Sequence, residues 1–164
     1  MGSFMNEASG DNRDSSGAAV RPPIAWALAA AVGLVLDRLH PLPFLPAAVP
    51  GGWVGGVVFL AGFALLMWAA SMFHRAGTKV RTSQPTATIV TTGPYRYTRN
   101  PIYVGMFLGL IGLAIAFDSL WPIVVLVPFC LVIRHGVVAR EEAYLERKFG
   151  DTYRAYKARV RRWL

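Results

Sequence analysis

Trp53–Phe73 reads WVGGVVFLAGFALLMWAASMF and carries no charge over its whole length. Wound as an α-helix, a run of this length covers roughly 30 Å, the thickness of a bilayer's hydrocarbon core. A soluble core helix of this size would keep a polar stripe for water, and this one has none. The segment therefore predicts a membrane span, and its neighbours are read from there. Gly51, Gly52, Gly55, Gly56 and Gly62 mark it for close helix contact, with Gly52 and Gly56 as a small-xxx-small pair.

Towards the N-terminus, His40–Gly52 (HPLPFLPAAVPGG) holds four prolines and no Lys or Arg, and it predicts a short irregular connection. Before it, Pro23–Leu39 is apolar and just long enough to cross, with Asp37 and Arg38 at its interfacial end. Residues 1–20 are polar, rich in Gly and Ser, and lack an apolar signal core, so they predict a disordered tail ahead of one domain over 21–164. Towards the C-terminus, His74–Ala87 is polar and basic. Two further apolar segments follow, over about 101–117 and 120–138. Asp118-Ser119 joins them as a tight turn, and Pro128 predicts a kink in the second. From Arg140 the character changes. Leu145, Phe149, Tyr153, Tyr156 and Val160 recur at helical spacing among charges, which predicts an amphipathic interfacial helix over 140–163, interrupted or bent at Gly150-Asp151.

The expected fold is all-α and integral to the membrane, with four transmembrane helices (about 23–39, 53–73, 101–117 and 120–138) and the C-terminal amphipathic helix. Composition agrees. Of 164 residues, 54% are hydrophobic and 16% charged, well short of a soluble domain's charge. The net charge of +8 would suggest nucleic acid on a soluble protein. Its distribution argues otherwise. Of 17 Lys and Arg, only Arg38 falls on the side of the His40–Gly52 connection. The positive-inside rule then places both termini and the loop before residue 100 in the cytoplasm of a bacterial-type inner membrane. Anionic lipid headgroups become the partner of the basic groups. A single cysteine, Cys130, excludes an intramolecular disulfide and a cysteine zinc site, and His74 and His135 alone make a poor metal site.

Between the second and third spans lies the densest polar and aromatic stretch, Thr88–Gly105 (TIVTTGPYRYTRNPIYVG). Thr92-Gly93-Pro94 is turn chemistry, and Asn100-Pro101 is a helix start: Asn is a favoured N-cap, and Pro at the first helical position forgoes an N–H that would be unpaired anyway. A helix N-terminus beside Arg96 and Arg99 suits an anion. Spans three and four form a hairpin, so Arg99-Asn100-Pro101 and the adjacent Glu141-Glu142 should meet at one membrane face.

Gly93-Pro94-Tyr95, Arg99-Asn100-Pro101-Ile102-Tyr103-Val104-Gly105 and Glu141-Glu142, taken together, resemble the signature of the membrane methyltransferases that include isoprenylcysteine carboxyl methyltransferases and phospholipid N-methyltransferases. The resemblance runs from about Thr78 to the C-terminus. Asn100 stands where many members carry His, so no imidazole is available to titrate there. What the resemblance implies is methyl transfer from S-adenosyl-L-methionine to a small or lipophilic acceptor (an isoprenylcysteine-like carboxylate, a phospholipid amine or a thiol) at the cytoplasmic face. It implies Tyr95, Asn100, Pro101, Tyr103, Glu141 and Glu142 around the cofactor, and Arg99 and Glu142 as the catalytic candidates. It calls for no obligate protein partner and no metal. Two other readings share some of these features: an NADPH-dependent membrane reductase, which also uses an Arg-x-Pro-x-Tyr motif, and a non-catalytic membrane protein whose motifs are anchors.

Overall fold

The computed structural model describes residues 20–76 and 88–164. All but the last residue of the predicted tail, and residues 77–87 of the basic stretch, lie outside them. Among the described residues the regular elements are helical. They are α1 (Pro22–Leu39), α2 (Gly51–Arg75), a single 3₁₀ turn (Gly93–Arg96), α3 (Pro101–Ala116), α4 (Trp121–Leu131), a π-helical stretch (Val132–Val138), α5 (Ala139–Phe149) and α6 (Asp151–Arg159).

Among the described residues, three helices are long and apolar enough to cross a membrane: Pro22–Leu39, Gly51–Arg75 and Trp121–Phe149. The third expected span, α3, is apolar but has only 16 residues, about 24 Å of helix. The outward faces fit a bilayer. Ile24, Leu28, Val32, Val35 and Leu39 on α1, and Trp53, Val57, Leu60, Phe63 and Met67 on α2, are exposed at three- and four-residue spacing. In water such stripes would be large apolar patches.

The central contact is α2 against α3, and glycine makes it possible. A Cβ on Gly62 would lie 2.7 Å from the Gly105 carbonyl oxygen, and one on Gly105 would lie 2.6 Å from the Gly62 oxygen. Gly55 meets the Ala116 backbone nitrogen as closely, and Gly112 meets Phe59. The predicted Gly52–Gly56 pair is not the contact: a Cβ on either would meet nothing within 4 Å. Both glycines sit on the other face of α2, and the inward face is set by where α3 presents its own glycines. α1 adds the Trp26 indole, which donates to the Met106 carbonyl at 2.8 Å beside Gly109. Leu110, Ile133, Val137 and Val138 close the core with no exposure.

The two predicted connections hold each other. Asp118, at φ 47°, turns the chain between α3 and α4. Its carboxylate accepts the N–H groups of Phe44 and Leu45 at 2.9 and 2.8 Å, and so fastens the proline-rich link to the turn.

Past α4 the structure departs from expectation in two ways. The span does not stop at residue 138. Pro128 sits within α4, seven π-wound residues follow, and the helix continues unbroken to Phe149. The Ala139 N–H reaches back five residues to the Arg134 carbonyl, the wider winding that re-phases the faces downstream. The interruption expected at Gly150-Asp151 is present, with Gly150 at φ 52° ending α5, but the helix does not reach 163: α6 stops at Arg159, Val160 is extended, and the last residues are non-helical. Tyr153 and Tyr156, expected on an interfacial stripe, are buried within the protein.

Candidate active site

Four pieces of chain meet at the α3 N-terminus. The 3₁₀ turn comes first. Gly93 takes φ 60°, and Tyr95 is buried edge-on to Phe73 at the end of α2, with ring centroids 5.4 Å apart. Asn100 then occupies the N-cap position of α3, and Pro101 starts the helix, fully buried. α5 supplies the two glutamates. The non-helical C-terminal residues, missed as a site element from sequence, form the fourth piece.

The C-terminal strap is tied down along its length. Thr98 and Arg161 form an isolated bridge, with the Arg99 N–H donating to the Arg161 carbonyl at 2.9 Å. The Arg162 carbonyl accepts from the Thr98 hydroxyl at 3.1 Å and from the Asn100 amide at 3.0 Å. The Trp163 ring rests on Phe107, with centroids 5.4 Å apart. α6 adds the Tyr156 hydroxyl, which donates to the Tyr95 carbonyl at 2.8 Å. Burial pushes that hydroxyl's pKa up to about 12, so it remains a donor at any ordinary pH. Asn100 thus departs from its predicted part. It stands at the cap position but makes no capping hydrogen bond with its side chain, whose amide goes to the strap.

The ionic centre lies beneath the strap. Glu142, its side chain 8% exposed, receives Arg162 on both oxygens, Nε at 3.1 Å and Nη2 at 2.7 Å. Arg99 reaches the same carboxylate only through Nη2, at 3.3 Å. The Arg99 side chain is 9% exposed, and its Nε and Nη1 are buried without a hydrogen-bond partner among the described residues. Unpaired buried donors are costly and therefore rare, and in a native protein a water, an ion or a ligand meets them. Tyr153 stands alongside. Burial and then the Glu142 charge push its hydroxyl's pKa up, against a smaller downward pull from Arg99.

Glu141 faces elsewhere. Its carboxylate accepts the Tyr103 hydroxyl, at 3.0 Å and 3.1 Å from the two oxygens. One hydroxyl carries one hydrogen, so Glu141 keeps more acceptor capacity than Glu142, which already takes three N–H contacts. Arg99, Asn100, Pro101, Tyr103, Glu141, Glu142 and Tyr95 thus gather at the end of the α3–α5 pair, while Tyr97 points out, exposed. Arg162 had no distinguishing mark in the basic run Arg159, Arg161, Arg162, apart from the aromatic Trp163 beside it.

Comparison with known proteins locates this arrangement. Over 36 residues the chain is 67% identical to an uncharacterized protein of Haemophilus influenzae, covering 22% of this chain and 57% of that protein. Over 75 residues it is 36% identical to the protein-S-isoprenylcysteine O-methyltransferase of Schizosaccharomyces pombe, covering 44% of this chain and 30% of the relative. The matches thus span little more than half of one curated relative and under a third of the other. The profile of the phospholipid methyltransferase family covers much more of the chain, residues 51–152, from the first residue of α2 into α6 and so through the 3₁₀ turn, Arg99, α3 and both glutamates. On that match, the chain belongs to the phospholipid methyltransferase family.

Proposed function

We propose that the protein transfers a methyl group from S-adenosyl-L-methionine to a small or lipophilic acceptor at the cytoplasmic face of the membrane. The observation that carries this reading is Arg99: a buried guanidinium whose Nε and Nη1 have no partner among the described residues, in a chain of a methyltransferase family. The cofactor's amino-acid head fits these residues. Its carboxylate matches the charge-assisted hydrogen bonds that these Arg99 donors can give. Its ammonium matches Glu141, the carboxylate with capacity left; Glu142, with both oxygens held by arginines, serves as framework. Tyr95, Pro101 and Tyr103 supply apolar and aromatic wall, and the Tyr103 hydroxyl fixes Glu141. Bound there, the cofactor supplies an activated methyl for in-line displacement, which asks the protein chiefly for positioning and exclusion of water.

The membrane placement follows the same reading. α3 acts as the fourth, short span. About 24 Å of helix in a core of about 30 Å sets its N-terminus below the headgroups, within reach of an acceptor dissolved in the bilayer. Basic residues at that face make it cytoplasmic, with both termini there and lipid headgroups as neighbours.

Calorimetric titration of the purified protein in detergent tests the assignment. Wild type should bind S-adenosylhomocysteine, and Arg99→Gln should lose most of that affinity while keeping its melting temperature within a few degrees. Binding of NADPH with none of S-adenosylhomocysteine would overturn the reading in favour of a reductase.

A further inference from the structure

We propose that Arg162 is a positioning residue: by clasping both oxygens of Glu142, it keeps the Nε and Nη1 donors of Arg99 free for the carboxylate of the cofactor's amino-acid head. The proposal rests on the reading of Arg99 given above and adds the device that keeps that arginine available.

Arginine and carboxylate side by side prefer the two-bond fork, which is the strongest geometry open to them. Arg99 and Glu142 are buried together, yet they share a single contact of 3.3 Å. The fork goes to Arg162, at 3.1 and 2.7 Å. Were Arg162 absent, Glu142 would have an oxygen without a partner, and Nε and Nη1 of Arg99 have none among the described residues. Both states are costly in a buried place, so the two side chains would close into the fork themselves. That closure draws the Nε hydrogen or one Nη1 hydrogen to Glu142 and turns that edge of the guanidinium away from a ligand. The charge count points the same way. Two arginines and one glutamate leave a net positive cluster, which suits an incoming carboxylate.

The strap puts Arg162 in place by means independent of its guanidinium. Its carbonyl is held by Thr98 and Asn100, the preceding residue pairs with Thr98, and the following Trp163 is seated on Phe107. Arg162→Gln therefore removes the clasp while leaving these anchors.

Two titrants separate positioning from a general structural part: S-adenosylhomocysteine, and its decarboxylated analogue, which keeps the adenosine and the ammonium. Wild type, Arg162→Gln and Arg162→Lys are titrated in one detergent, with melting temperatures measured alongside. Arg162→Gln should weaken S-adenosylhomocysteine by about tenfold or more, the worth of one hydrogen bond to a charged group. It should leave the decarboxylated analogue within about twofold, since that ligand never uses the freed donors. Arg162→Lys, a point charge without a fork, should fall between. Equal weakening of both titrants, or wild-type affinity for S-adenosylhomocysteine in Arg162→Gln, overturns the proposal. A wild type that binds neither titrant overturns the functional reading itself, and the clasp's assigned ligand with it.

Discussion

Glu141 and Glu142 are neighbours in sequence, and the structure predicts opposite outcomes for the same substitution. Glu142→Gln removes the one negative charge between two guanidinium groups and turns one of its acceptors into a donor facing them. Stripping one partner from a buried charge pair costs about 3–5 kcal/mol. Arg99, with its side chain 9% exposed, is fully subject to that cost, whereas Arg162, at 33%, can turn towards water. The lower end therefore applies, about 3 kcal/mol, or roughly a hundredfold in the ratio of folded to unfolded protein. Glu141→Gln keeps an oxygen for the Tyr103 hydroxyl and disturbs no arginine, so its stability should fall by under about 1 kcal/mol. Its loss should appear instead in cofactor affinity. Circular dichroism melts in a single detergent, paired with titration of S-adenosylhomocysteine, read both effects. If Glu142→Gln melts with wild type, or Glu141→Gln melts as early as Glu142→Gln, the division of labour argued from the hydrogen bonds is wrong.

Two further predictions address the frame. Gly62→Val should lower the melting temperature strongly or abolish folding, because its side chain would meet the Gly105 carbonyl. Gly56→Val, where a Cβ meets nothing within 4 Å, should melt like wild type, and a similar loss in both would refute the α2–α3 contact. On a background lacking Cys130, a membrane-impermeant thiol reagent should reach Ala48→Cys from the periplasmic side only and Ala155→Cys from the cytoplasmic side only; the reverse pattern would invert the orientation.

Much of the frame could be read in the sequence because the bilayer imposes a coarse demand. A charge-free Trp53–Phe73 leaves few other structures open to it, and the runs on either side inherit their reading from it. What could not be read was set by pairwise choices. Glycines occur on both faces of α2, and only the positions of Gly105 and Gly112 on another helix select Gly55 and Gly62 as the contact. The drop in hydropathy at Arg140 marks where the surroundings change, and the helical backbone carries on through it as α5. In the site, Arg99, Tyr103 and the glutamates were legible because the Arg-Asn-Pro-x-Tyr and Glu-Glu pieces occur together. Asn100 has the composition of a cap, but its amide is drawn to a carbonyl 62 residues away. Arg162 is one arginine among several, and a local pattern gives no sign of which one turns inward.

The strap has a consequence in time as well as in space. The hydrogen bonds of each helix join residues a turn apart, whereas those fastening Thr98 and Asn100 to Arg162 close loops of 64 and 62 residues. Long loops close late, because their entropy must be surrendered before any contact repays it. The protein should therefore pass through a stage in which its helices have formed while Glu142 still lacks its second arginine. The same contacts should be among the first to open in local unfolding. Binding competence would then be gained late and lost early, so that a gentle rise in temperature or denaturant silences the protein before its helices unfold.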